Sequence, residues 1–244
     1  ITYYKNYLDK ISINNLDEEV LLDTLRQSHR LLKFQIIFAL INHEINIDRA
    51  SQEFSLLAQA TFDTSLKIAE SRIIKKYKID NLSYSIVAYG RFATLSMTAN
   101  SDLDLVFIYD GKNSNNNSTQ KVYIELFRQL IRTLSSKTTE GLMYEVDTKL
   151  RPSGKEGPVV CTYDNFKKYH QENSFCWEKL ALKKTRIINE NNFNAKTSKL
   201  LEKLKTINIS DKEIAREIIM MRTNVKQADG HAVKKKSFKW LSLI

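Results

Sequence analysis

The sequence predicts an α+β fold, a small mixed sheet flanked by helical segments. Three observations lead there. Residues 17–77 contain no Gly or Pro and repeat apolar residues at helical spacing. Three short runs, 84–89, 101–109 and 141–147, are rich in β-branched, aromatic and leucine residues and are separated by glycines and polar loops. Beyond 163 the helical spacing returns.

Taken in order, the first segment reads as two or three helices broken near Asn46 to Asp48. Leu57, Ala60, Thr61, Thr64, Ile68 and Ile73 share one face of the later helix, and Asp48 is the expected cap, with Ser51 and Glu53 in the first turn. Tyr84-Ser85-Ile86-Val87-Ala88-Tyr89 is a strand that stops at Gly90. Thirteen positions, counted from Gly90 to Asp102, lead into Ser-Asp-Leu-Asp-Leu-Val-Phe-Ile-Tyr (101–109), a buried strand. Residues 111–118 form a polar, low-complexity loop. Val122, Leu126, Gln129, Leu130, Thr133 and Leu134 then line one helix face. Gly-Leu-Met-Tyr-Glu-Val-Asp (141–147) is a third strand, ending in an acid and running into Leu150-Arg151-Pro152-Ser153-Gly154. The closing helical part has breaks near Asn189 to Asn194 and Asn208 to Ser210. This suggests a division into a helical segment (1–80), a sheet-bearing domain (81–190) and a second helical segment (191–244).

Asp102 and Asp104 are the chemical clue. At a period of two residues they project from one side of a strand. Two adjacent acids repel, and burying both is costly unless a cation neutralises them. Oxygen-only ligands of like charge favour a hard divalent ion such as magnesium over zinc. Strand, glycine loop, paired aspartates and a third aspartate, Asp147, on a later strand resemble the constellation of the nucleotidyltransferase (polymerase-β-like) fold. In that fold three carboxylates hold two magnesium ions, which clamp the attacking oxygen and the leaving pyrophosphate of an in-line displacement at phosphorus.

Two longer segments, Tyr-Glu-Val-Asp-Thr-Lys-Leu-Arg-Pro-Ser-Gly (144–154) and Trp-Glu-Lys-Leu-Ala-Leu-Lys-Lys-Thr-Arg-Ile-Ile (177–188), together with the acidic strand, resemble the glutamine synthetase adenylyltransferase family. The resemblance runs from about Leu21 to Arg222. Members carry two nucleotidyltransferase domains, one attaching AMP to a tyrosine of glutamine synthetase and one removing it by phosphorolysis. Arg-Pro-Ser-Gly at 151–154 resembles the attaching, C-terminal half, because the removing half typically has phenylalanine at the place of Ser153. The resemblance implies ATP as substrate and Mg2+ (two ions) or Mn2+ as cofactor. It implies Asp102, Asp104 and Asp147 as metal ligands, with Asp147 helping the tyrosine lose its proton. Gly90, Ser101 and the 151–154 loop (Arg151, Ser153, Gly154) would grip the triphosphate. Glutamine synthetase is the implied partner, with glutamine and a nitrogen-signalling protein as regulators.

Other residues are less specific. Gly154 and Gly157 would let backbone amides approach an anion, and Pro152 and Pro158, the only prolines, stiffen the same loop. Lys184 and Arg186 are placed on the helix that holds Trp177 and Glu178; at i, i+2 they do not share a face, so one would meet nucleotide and the other solvent. Trp177 reads as packing, and His43, His29, His170 and His231 are scattered singly. The two cysteines, Cys161 and Cys176, have neither disulfide nor zinc spacing. No apolar run reaches the roughly 18 residues of a membrane span, and no secretory signal opens the chain, so a cytoplasmic location is expected. The chain starts at Ile1, which suggests part of a longer or processed protein. The net charge of +10 favours anionic partners, but the lysines lie mostly on amphipathic helices, Lys234-Lys235-Lys236 with Lys239 reads as a solvated tail, and nucleic acid is not an expected partner.

The chain departs from the family in two places. Where the family has a loop resembling Gly-Lys-Leu-Gly-Gly-x-Glu, this chain has Gly90-Arg91-Phe92-Ala93-Thr94-Leu95-Ser96. If the lost glycines supplied positive φ, Ala93 and Thr94 would carry strain of about 1–3 kcal/mol. Thr223 to Ile244 resembles nothing in the family. Two other classes therefore stay compatible with the residues: a catalytically impaired remnant that binds nucleotide or glutamine synthetase, and a nucleotidyltransferase directed at RNA.

Overall fold

The computed structural model describes residues 2–12, 17–79, 81–111 and 117–208, with 210, 212–213, 215–216 and 219 beyond them. Helices α1 (Thr2–Ser12), α2 (Glu18–Ile41) and α3 (Ile47–Tyr77) come first. The break between α2 and α3 falls where the sequence places it, but the cap is Asn46, whose side chain accepts a hydrogen bond from Arg49 N at 2.8 Å. Asp48 instead lies in the first turn of α3, where a negative charge favours the helix dipole.

Strands β1 (Tyr84–Tyr89) and β2 (Leu103–Tyr109) are antiparallel neighbours at the centre of the sheet, joined through a one-turn helix, α4 (Gly90–Ala93). After α5 (Asn117–Ser135), two short strands pair in parallel with the same edge of β2: β3 (Val146–Asp147) at its start and β4 (Val160–Thr162) at its end. Helix α6 (Tyr163–Lys168) runs on into a π turn (Tyr169–Asn173). It is followed by α7 (Cys176–Lys183), by β5 (Thr185–Ile187) antiparallel to the free side of β1, and by α8 (Asn194–Lys205). The sheet order is β3-β2-β1-β5, with β4 also on β2. The sheet is small and mixed, as expected.

Three sequence expectations change. The third strand is two residues long rather than seven, because 141–145 curls through a bridge between Thr138 and Gly141 before it reaches β2. Asp102 precedes β2 rather than lying in it. The segment beyond 163 is not purely helical: it contains β5, a strand of three residues which, like β4 just before that segment, is too short for periodicity to announce.

The sheet separates two cores by strict alternation. Tyr84, Ile86 and Ala88 of β1 and Leu103, Leu105, Phe107 and Tyr109 of β2 face α1, α2, α3 and α5. Val87 and Tyr89, with Val106 and Ile108, face α6, α7 and α8 through Phe166, Leu182 and Leu200. Tyr84 and Phe107 stack at 4.7 Å across β1 and β2, an arrangement worth about 0.5–1.5 kcal/mol beyond burial. The asparagines that signal a helix break act as wiring for the edge of β1. Asn189 Oδ1 accepts from Ile86 N at 2.7 Å, and the Asn191 side chain donates to Leu82 O at 2.7 Å. Lys234 to Lys236, Lys239 and the unfamiliar 223–244 tail lie outside the described residues.

Candidate active site

One register row crosses the sheet at the end where β1 finishes and β2 begins: Asp147 on β3, Asp104 on β2, Tyr89 on β1, Thr185 on β5. Adjacent strands lie about 4.8 Å apart, so Asp104 and Asp147 are direct neighbours. Asp102 stands two residues before Asp104, half-buried like it. Alternation puts Asp104 on the face of Val106 and Ile108, toward the second core. Gly90 closes β1 at the same end with φ +58°, a conformation that costs a side-chain-bearing residue about 1–2 kcal/mol.

The electrostatics follow from this packing. Burial, and then the charge of Asp147, push the Asp104 carboxyl up to about 7, with Lys149 pulling the other way. Among the described residues Asp104 has no hydrogen-bond donor, which leaves it short of anything to stabilise its charge. Asp147 is satisfied: Lys149 Nζ lies 2.6 Å from its Oδ2, and the Lys149 backbone N–H donates to Oδ1 at 2.9 Å. The donor set, carboxylate oxygens on neighbouring strands with one of them unpaired, suits a hard divalent cation. As the side chains stand, the described residues contain no group of three His, Cys, Asp or Glu gathered to hold a metal, and Asp147 is folded onto Lys149.

The chain leaves the β2 edge after Asp147 and rejoins it at Val160, so 148–159 loops out beside the acids. Arg151 staples the base of this loop. Its Nη1 donates to Thr148 O at 2.7 Å and Oγ1 at 2.9 Å, its Nε to Pro158 O at 3.0 Å and its Nη2 to Gly157 O at 3.1 Å. Ser153 and Gly154 are both left-handed, at φ +63° and +54°. The expectation that Gly154 and Gly157 free their amides for an anion is not what the loop shows: Gly154 N donates to Arg151 O at 2.8 Å and Gly157 N to Ser153 O at 3.3 Å. Gly157 is required for space, since a Cβ there would lie 2.2 Å from Pro152 O. Ser153 instead presents an exposed side chain.

The loop after Gly90 builds itself from hydroxyls. Thr94 N and Oγ1 both donate to Gly90 O at 3.1 Å, and Ser101 Oγ accepts from Thr98 N at 2.9 Å. Ala93 is helical and Thr94 sits at φ −89°, so neither carries the strain expected of a replaced glycine. The left-handed residue is Leu95, at φ +57°.

Lys184 and Arg186 are not on a helix together. Lys184 caps α7, exposed, one residue outside the row. Arg186 lies on β5 opposite Ala88, hence on the face of the sheet away from Asp104. Its guanidinium donates to Phe92 O (3.1 Å), Ala93 O (3.3 Å) and Gln59 Oε1 (3.0 Å). It shapes the loop after Gly90 from beneath rather than meeting a ligand beside the acids. Trp177 packs partly against the second core, as expected. Cys161 is buried and Cys176 partly so, neither in a disulfide. No described helix is long and apolar enough to cross a membrane. Sequence reasoning missed Lys149, although its place two residues past Asp147 is the available signal. It also missed Tyr89, which only the strand register brings beside Asp104.

Residues 1–200 match the family model for glutamate-ammonia ligase adenylyltransferase. Among curated proteins, the bifunctional glutamine synthetase adenylyltransferase/adenylyl-removing enzyme of Brucella melitensis is 36% identical over 180 residues, covering 70% of this chain and 18% of that protein. Its counterpart from Aromatoleum aromaticum is 27% identical over 227 residues, 91% of this chain and 23% of the relative. That from Rhodopseudomonas palustris is 28% identical over 221 residues, 87% and 22%. The chain thus spans about a fifth of the length of the curated relatives it matches. With a family model covering most of its length and the acid pair, the third aspartate and the Arg-Pro-Ser-Gly loop assembled at one end of a small mixed sheet, the chain belongs to the glutamate-ammonia ligase adenylyltransferase family.

Proposed function

We propose that this region transfers AMP from ATP to a tyrosine hydroxyl of glutamine synthetase. The observation that carries this reading is the facing pair Asp104 and Asp147 on neighbouring strands, with Asp102 two residues away. Asp102, Asp104 and Asp147 would hold magnesium or manganese, which when bound neutralises charge on the triphosphate. Asp104, unpaired and shifted toward neutrality, is the group with most to gain from a cation. Asp147 must exchange its Lys149 contact to join it, which frees the ammonium for an anionic ligand. Asp147 can then orient the incoming hydroxyl and accept its proton. Ser153 and Lys184 stand at the same end of the site to meet phosphate oxygens. A nitrogen-signalling protein as regulator belongs to the same proposal and rests on family likeness alone.

The names of the relatives pair attachment with removal, so removal by phosphorolysis is the second reading. Ser153, at the place where the removing half typically has phenylalanine, favours attachment. Incubating the chain with ATP, magnesium and unmodified glutamine synthetase should add one AMP per modified subunit by mass. Incubation with phosphate and adenylylated glutamine synthetase should leave the AMP in place. Removal without attachment would reverse the assignment, and neither activity, with ATP still bound, would mark a binding remnant. Labelling of tRNA instead would point to an RNA-directed enzyme.

A further inference from the structure

The loop that leads from Gly90 to Asp102 is held along one face of α3. Ser51, Ser55 and Gln59 follow one another at intervals of four, so they form a row on that helix. Gln59 Oε1 accepts from Arg186 Nη1, and the same guanidinium donates to Phe92 O and Ala93 O, which anchors the first part of the loop. Further on, Ser51 Oγ donates to Met97 O at 2.9 Å and Met97 N donates to Ser55 Oγ at 3.1 Å. Both backbone groups of Met97 are thus tied to α3, and Met97 and Ser55 are fully buried.

Met97 is the joint of the loop. Before it, Thr94 N donates to Gly90 O and Ser96 N to Arg91 O; after it, Ser101 N donates to Thr98 O and Thr98 N to Ser101 Oγ. Two self-bonded turns therefore meet at Met97, and the second carries Ser101 directly into Asp102 and β2. On either side of the joint Ser96 and Thr98 are exposed. Arg91 Nη1 reaches across it to Thr98 Oγ1, but at 3.4 Å and on the surface, a long bond in competition with water. The serines are not explained by the helix that carries them. Serine is a weaker helix former than alanine, because its hydroxyl competes for backbone groups. Ser55 does return its proton to Ser51 O at 2.8 Å, the common habit of a helical serine, and still offers its oxygen to Met97 N. Ser51 sends its proton out of the helix to Met97.

We infer that Ser51 and Ser55 are positioning residues, which fix Met97 against α3 and so set where Ser101 and Asp102 stand for magnesium and nucleotide. This role rests on the reading of that end of the sheet as a nucleotide site.

The test uses the 244-residue chain with Ser51→Ala, Ser55→Ala, the two combined, and Ser51→Thr, which keeps the hydroxyl. Losing one net hydrogen bond loosens the equilibrium it holds by roughly two- to tenfold. Exchange of the Met97 amide, read by NMR, should quicken by about that factor in Ser55→Ala while amides of β1 and β2 keep their protection. Nucleotide affinity falls with the fraction of loops still seated, so the calorimetric Kd for ATP with magnesium should rise by at least about twofold in the double variant and by less in each single one. Ser51→Thr should match the parent. Ile68→Val, about 20 Å along α3 from Ser55, loosens the helix at a distance and should leave the Kd unchanged. Should the double variant fail to fold, Ser51→Ala, at a half-buried position, must still show a higher Kd than Ser51→Thr. Unchanged Met97 exchange in Ser55→Ala would overturn the clamp. Faster exchange with an unchanged Kd would overturn its part in positioning, and an equal rise in Ile68→Val would reduce it to helix stability. A parent chain that binds no ATP would sink the nucleotide-site reading and this role with it; that failure is told apart because Met97 exchange still reports the clamp while no Kd remains to compare.

Discussion

Asp104→Asn should make the metal-free protein more stable above neutral pH and should abolish the response of its stability to magnesium. The folded state holds the Asp104 proton up to about 7, whereas the unfolded chain releases it near 3.8. Below 3.8 both states are protonated and nothing is lost. Between 3.8 and about 7 the folded state retains a proton that the unfolded state gives up, so stability falls as pH rises, and above 7 the full penalty applies. A shift of about three pH units at about 1.36 kcal/mol each sets a ceiling of about 4 kcal/mol. The buried imidazoles act in the opposite sense. His29, lowered to about 3, and His170, lowered to about 4, refuse protons that the unfolded chain binds below 6.5, so their contribution to stability falls as pH falls through that range. The informative quantity is thus the difference between parent and variant, from urea titrations at pH 5 and pH 8 in a chelating buffer, then at pH 8 with magnesium. On going from pH 5 to pH 8, which spans about two of those three units, the variant should gain about 1–3 kcal/mol over the parent. Magnesium should restore the parent alone. Parallel pH profiles would refute the placement of Asp104 as an unpaired, half-buried acid.

Lys149→Met removes the cation that, among the described residues, lowers the Asp104 pKa, so it should reduce metal-free stability at pH 8 and tighten magnesium binding measured by calorimetry; weaker magnesium binding would contradict the exchange of partners at Asp147. Leu95→Gly trades about 1–2 kcal/mol of left-handed strain against about 0.5–1 kcal/mol of chain entropy, for a small net gain in the urea midpoint. Ala93→Gly and Thr94→Gly, with no strain to relieve, should each lose stability, and a gain from either would restore the lost-glycine argument. Arg186→Lys cannot reproduce the fork onto Phe92 O, Ala93 O and Gln59, and should cost about 1.5–3 kcal/mol in the same titration; a neutral result would mean that the loop after Gly90 holds without it. Gly157→Ala forces Cβ against Pro152 O and should destabilise by about 1–3 kcal/mol, showing as a lowered Tm.

The sequence by itself determined the acid pair, the strands that flank it, the helical segment before them and the family. Each of these rests on local pattern: short apolar runs in 84–89 and 103–109, helical spacing through 47–77, and unbroken motifs at 144–154 and 177–188. The misplacement of Arg186 has a simple cause, that three-residue strands carry no period of their own. Thr185–Ile187 follows a helix without a glycine or proline between them, so Arg186 reads as helical until the pairing with β1 sets its face. Only the register places Asp104 between Asp147 and Tyr89, because the partner of a strand is chosen by contacts distant in sequence. Likewise only packing decides that Arg151 staples its own loop, that Leu95 rather than Ala93 or Thr94 takes the left-handed turn, and that Glu178 meets the hydroxyl of Tyr169. A residue's type states which bonds it can make, and the tertiary structure states which partner comes within 3 Å.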